Sequence, residues 1–253
     1  MVLPWALTVL SLLPLLSAQS PECANFTAKP ITNVTLDWLS GKWFYVAAIF
    51  RKPEVNQSAK MVRSAFFYFA PNQMEDKIYT REYQTIGDHC IYNSSHLMVQ
   101  RKNGTVVREG KGQGEDRGGL EGGWTSLRRG PDNKVLKALG TENTGQTPML
   151  HTPTLSPPEN GTASFAYLLL SKNSRSFMFS AHPQDKQKMA LSIFADKPQL
   201  SEEQLNEFHE VMECMGMHKS EIIPTDEKKD QCGPLEKQHE EERKKEQEGA
   251  KEE

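Results

Sequence analysis

Six Asn-x-Ser/Thr triplets recur along the chain, at Asn25, Asn33, Asn56, Asn93, Asn103 and Asn160. Each is an acceptor for an N-linked glycan if the chain passes through the secretory pathway, and a used acceptor marks an outer surface, because the sugar must reach solvent. Four cysteines, Cys23, Cys90, Cys214 and Cys232, add a second chemistry. Their even number fits two disulfides; their spacings match no zinc pattern, and Cys-x-x-Cys is absent. Four cysteines allow three connectivities, and spacing alone does not choose among them. A third set could bind a small molecule. Tyr45 follows Trp43 by two residues, and Phe67 and Phe69, Glu82 and Gln84, and Ser192 and Phe194 repeat that spacing. On strands, each pair shares a face. If those faces turn inward around a hollow, they give an aromatic wall with one carboxylate and two neutral polar groups. Such a lining attracts a cationic amphiphile through cation–π contact and charge pairing. The histidines at 89, 96, 182 and 209 are scattered and suggest no metal. With no Gly-x-Ser-x-Gly and all cysteines assigned to disulfides, neither an enzyme nor a cofactor is expected.

Something must position these residues. Residues 1–18 read as a signal peptide: an apolar run from Val2 to Leu16 that closes on Ser17 and Ala18. No other stretch is long and apolar enough for a membrane span. A net charge of -3 gives no nucleic-acid footprint. The mature chain is therefore expected to be extracellular and without an integral membrane segment. Strand-like runs follow at Trp43 to Phe50, Ala65 to Phe69, Lys77 to Gln84, His89 to Val99, Thr105 to Arg108, Ser164 to Leu170, Ser176 to Ala181 and Met189 to Ala195. Ser201 is a plausible N-cap for a helix whose stripe is Leu205, Phe208, Val211 and Met212. Eight strands can close into a barrel that holds one small ligand, with Trp43 plugging its floor. Residues 19–109 and 159–235 would form this barrel and its packed helix. Residues 110–158, rich in Gly and Pro, read as a disordered insertion, and 236–253 as a charged tail that is either a solvated helix or disordered.

Six segments carry a resemblance. They are Leu39-Ser40-Gly41-Lys42-Trp43-Phe44-Tyr45, Phe66-Phe67-Tyr68-Phe69, Arg81-Glu82-Tyr83-Gln84-Thr85, Cys90-Ile91-Tyr92-Asn93, Ala195-Asp196-Lys197-Pro198 and Pro234-Leu235-Glu236-Lys237-Gln238-His239. In this order the chain resembles the alpha-1-acid glycoprotein (orosomucoid) family, an outlying branch of the lipocalins, over residues 1–109 and 159–253. The resemblance implies an all-β fold, an eight-stranded antiparallel up-and-down β-barrel with one C-terminal α-helix. It implies the disulfides Cys23–Cys214 and Cys90–Cys232, and a mature start at Gln19 as pyroglutamate. It implies a monomeric plasma transport protein for small lipophilic, often basic, ligands, with an acute-phase and immune-modulating role. The glycans could instead carry the main message, read by lectins or cell-surface receptors. Positions matching Tyr45, Phe50, Phe67, Phe69, Glu82, Gln84, Arg108, Phe179, Ser192 and Phe194 line or border the family's cavity, with Arg108 either serving acidic ligands or pairing with Glu82. Three departures stand out. The second and third lipocalin motifs are not evident, Met74 removes a family sequon at Asn72, and residues 110–158 have no family counterpart. The codons of Gly110-Lys111-Gly112 and Leu155 to Glu159 can spell a splice donor and acceptor, so the insertion reads as a translated intron or a lineage-specific loop.

Overall fold

The strand-forming runs pair in chain order, each antiparallel to the next. The computed structural model describes residues 26–108, 164–172, 174–182 and 185–249. The expected signal peptide, Gln19, Cys23, Asn25, the 110–158 insertion and Asn160 lie outside the described residues. The strands are β1 (Gly41–Phe50), β2 (Val62–Asn72), β3 (Lys77–Ile86), β4 (His89–Gln100), β5 (Thr105–Arg108), β6 (Ser164–Leu170), β7 (Ser176–Ala181) and β8 (Ala190–Ala195). Consecutive strands are neighbours from β2 to β8; β8 pairs with β1, and β1 with β2, so the sheet closes into a barrel of eight strands. Closure leaves no open edge among these eight.

The strand β1 is shared between two partners. Its residues Gly41 to Phe44 face Phe69 to Phe66 of β2, and from Phe44 to Phe50 it runs beside β8. A short strand β9 (Ile223–Pro224) takes the place that β2 leaves, opposite Ala48 and Ala47. Thr225 N–H then donates to the Val46 carbonyl and Asp226 N–H to the Arg63 carbonyl, which ties β1 and β2 together across the gap. The β1–β8 register shifts between Tyr45 and Ala47. Such an irregularity swaps which face alternate residues point to. Trp43 and Tyr45 face the interior below it, and Ala48 and Phe50 do so above it; Ala47 and Ile49 lie in the outer cluster.

That outer cluster is covered by α3 (Glu202–Cys214), through Phe208, Val211 and Met212. Ser201 caps it as expected, in a reciprocal box with Gln204. Three further helices accompany the barrel. Helix α1 (Asn33–Leu39) crosses the floor, buries Leu36 and Leu39, and accepts the Trp43 indole N–H at the Leu39 carbonyl (2.7 Å). Trp38 and Phe177 each pack 4.9 Å from Trp43, ring centre to ring centre. Helix α2 (Pro53–Ala59) lies in the β1–β2 connection at the opposite end, and its Val55 and Ala59 join the interior core.

Over its described length the charged C-terminal stretch takes the helical one of its two expected forms. It forms α4 (Gly233–Gly249), which buries no residue of its own yet docks against the barrel. The docking partners are the outward tyrosines of β2 and β3, whose hydroxyls need acceptors when covered. Tyr68 donates to Glu236 (2.6 Å) and Glu240 (3.0 Å), and Tyr83 shares a hydrogen bond with His239 Nδ1 (2.9 Å). The Cys90–Cys232 disulfide fixes the chain just before this helix. Cys214 is disulfide-bonded as well; its partner lies outside the described residues.

Candidate ligand site

The inner face is legible tier by tier from the strand register. Counting from the floor, Phe69, Thr80 and Ser95 sit side by side on β2, β3 and β4; above them come Phe67, Glu82 and Asn93, then Ala65, Gln84 and Ile91. On the other wall, Phe194 stands between Tyr45 and Phe177, and Ser192 between Ala48 and Phe179. Arg108 has the parity of Val106, a buried core residue, and so faces inward at the end of β5. Phe50 and Tyr45, five residues apart, point the same way only because of the register shift in β1. The ten expected lining residues therefore all belong to the inner face.

They do not enclose the space imagined between them. Phe67, Phe69 and Phe194 were expected to wall a void. Their ring centres instead lie 6.0 Å (Phe67–Phe69), 5.4 Å (Phe67–Phe194) and 6.1 Å (Phe69–Phe194) apart. Phe177 stacks on Phe194 at 4.8 Å, and Tyr45 meets Phe194 edge-on at 5.5 Å. These are contact distances for aromatic pairs, so no ligand fits among the rings as they stand. The cause is geometric: adjacent strands β7, β8, β1 and β2 each aim a large ring at one level of a narrow barrel. Above that level the inward side chains of Ala48, Ala65 and Ser192 are small.

Glu82 is the exceptional group. It is 3% exposed, in the tier beside Phe67. Burial disfavours its charged form and pushes its pKa up to about 7, against the opposing pull of the Arg108 charge and hydrogen bonds from Gln84 and Asn93. The Gln84 amide donates to one carboxylate oxygen. Burial, with Glu82 adding to it, drives the Tyr45 hydroxyl far above the ordinary tyrosine range, so Tyr45 stays neutral. The site can thus offer either a neutral acid or a carboxylate near neutral pH. Among the described residues no cluster of His, Cys, Asp or Glu could hold a metal ion.

Three participants escaped the sequence reading. Thr80 and Ser95 share a hydrogen bond (2.8 Å) in the lower polar tier. Asn93 faces inward, although its triplet was expected to mark an outer surface. Its neighbour Tyr92 points out to His239 at 4.4 Å, while Leu97 and Val99, of Asn93's own parity, lie in the core. Counting back from Leu97 by twos would have found it. The remaining described acceptors differ: Asn33 and Asn103 are exposed, and Asn56 sits half-buried on α2, its Nδ2 donating to the Phe50 carbonyl (3.0 Å).

Against known proteins, residues 40–117 match the model of the lipocalin / cytosolic fatty-acid binding protein family. Alpha-1-acid glycoprotein of Bos taurus is 46% identical over 251 residues, covering 99% of this chain and 100% of that relative. Alpha-1-acid glycoprotein of Oryctolagus cuniculus is 42% identical over 97% of this chain and 98% of its own length. Alpha-1-acid glycoprotein 1 of Mus musculus is 38% identical over 94% and 91%, respectively.

Proposed function

Because the chain belongs to the alpha-1-acid glycoprotein family of lipocalin-type ligand-binding transport proteins, we propose that it is a secreted plasma carrier for small lipophilic, preferentially basic, ligands held beside Glu82. The observation that carries this reading is a carboxylate almost wholly out of water, next to Phe67 and Tyr45, inside a closed barrel. Ionising it there costs stability that Arg108, Gln84 and Asn93 offset only in part, and a bound cation would offset more. The apolar body of the ligand rests on the mouth-facing side of the Tyr45, Phe67 and Phe194 rings. Its cationic head meets Glu82, and Gln84, Ser192 and Arg108 border it. Helix α2, whose Val55 and Ala59 pack into the core, must lift to admit it. The test is a titration of a fluorescent hydrophobic cation and a neutral isostere against the wild type and Glu82→Gln. The cation should lose about tenfold in affinity, since roughly 1.4 kcal/mol of charge pairing goes, and the neutral probe much less. Equal losses for both would remove the charge role.

A second reading rests on the exposed acceptors Asn33 and Asn103, whose glycans would face lectins or cell-surface receptors in an immune-modulating and acute-phase role. Enzymatic deglycosylation separates the two readings: probe binding should persist and lectin recognition vanish. Intact mass of the secreted protein reports removal of residues 1–18, pyroglutamate at Gln19 and the presence of residues 110–158.

A further inference from the structure

The acceptor asparagines are not equivalent. Asn33 and Asn103 are exposed, whereas Asn93 projects into the barrel, directly across the β3–β4 ladder from Glu82. Three observations fix that direction. Its partner Glu82 is buried, its strand neighbour Tyr92 packs outside, and Leu97 and Val99 of the same parity are core residues. It also lies close to the rim. Two inward positions of β4, Ile91 and His89, lie between it and the β3–β4 turn, and both are exposed, Ile91 by 39%. Two residues of strand span about 7 Å, so Asn93 lies about that far below the exposed Ile91.

We infer that Asn93 is a glycosylation site rooted on the inner wall of the barrel mouth, and that a glycan there restricts access to the ligand site. Modification takes place on the extended chain, before β4 is paired, so the later inward orientation does not block it. The Nδ2–C1 bond forms as the C1–O bond of a lipid pyrophosphate-linked oligosaccharide donor breaks. The pyrophosphate leaves, one Nδ2 proton is lost, and the amide keeps one N–H. On folding, the first sugar sits within the mouth above Glu82 and the rest of the oligosaccharide emerges past Ile91. The remaining N–H can still donate to Glu82, but the sugar on the same nitrogen constrains how it does so. The access half of this inference rests on the carrier reading above; the anchoring half does not.

The test uses the full chain secreted from glycosylating cells. Site-resolved mass spectrometry follows release of each glycan from the native protein by peptide-N-glycosidase, which must reach the attachment amide. Release at Asn93 should be at least about tenfold slower than at Asn33, and the two should become equal on unfolding. An empty Asn93 in the secreted protein, or release as fast as at Asn33, overturns the anchoring. For access, association of a fluorescent hydrophobic cation should be about fivefold faster or more in Asn93→Gln and unchanged in Asn33→Gln. Ser95→Ala abolishes the same acceptor while keeping the Asn93 amide, and should match Asn93→Gln. Association like the wild type in either variant overturns the access role. If no form binds the probe, the carrier reading fails, and the release rates still decide where the glycan is rooted.

Discussion

The floor and the mouth of the barrel are built on opposite terms. At the floor, Trp43 is fully buried, its indole N–H is satisfied by the Leu39 carbonyl, and Trp38 and Phe177 pack around it, with the Arg175 guanidinium 5.0 Å over its ring. Every group there is apolar or paired. At the mouth, Glu82 is buried against its own preference to ionise, and α2 brings only Val55 and Ala59 to the core. A well-satisfied end can carry an end whose polar groups are held out of water for a ligand.

Breaking the floor should therefore cost most. Trp43→Ala should lower unfolding free energy by about 3–5 kcal/mol, measured by denaturant titration. A loss under about 1 kcal/mol would mean that the floor is not the stable end. At the mouth the sign should reverse. The folded pKa of Glu82, about 7, lies above its ordinary 4.5. Between those values the native state binds more protons than the unfolded state. Stability contributed by the neutral acid is present at low pH and is lost as pH rises to about 7. Glu82→Gln should thus stabilise the ligand-free protein by up to about 3 kcal/mol at pH 8 and not at all at pH 4. Equal effects at both pH values would assign the group an ordinary carboxyl. Phe67→Ala, at the boundary between the two ends, should weaken binding of a hydrophobic probe by about 1–3 kcal/mol. Unchanged affinity would move the ligand away from the rings. The smallest effect belongs to the floor helix. Thr32→Ala removes one half of the α1 capping box, which should cost about 1 kcal/mol without touching probe binding.

Much of the barrel was legible because β-branched and aromatic runs alternate with Gly and Asn turns, and the eight expected strands match the observed ones closely at their ends. The helix after Ser201 announced itself through its cap and stripe. What escaped were features set by tertiary contact. No residue in Tyr45 to Ala47 marks a register shift, so parity alone would have put Phe50 outside. The charged stretch 236–253 looked solvated because its described part meets the barrel through a salt bridge to Lys42 and polar and ring contacts to distant tyrosines rather than through an apolar stripe. The crowding of Phe67, Phe69 and Phe194 depends on how four strands converge, which no local pattern encodes. Asn93 was misplaced for a different reason: a triplet was allowed to outweigh the strand parity in which it sits.

The ladder between β5 and β6 has one more consequence. Arg108 and Ser164 are opposite one another, so the two chain ends that border residues 109–163 stand no further apart than the feet of a tight hairpin. Such a joint accepts very different lengths at small expense. By loop-closure entropy, spanning it with 55 residues rather than four costs only about 2 kcal/mol. The barrel thus has a socket at its rim where sequence can be spliced in or trimmed away while the staves on either side keep their places. Evolution, or a protein engineer grafting a reporter, could use that socket without rebuilding the vessel.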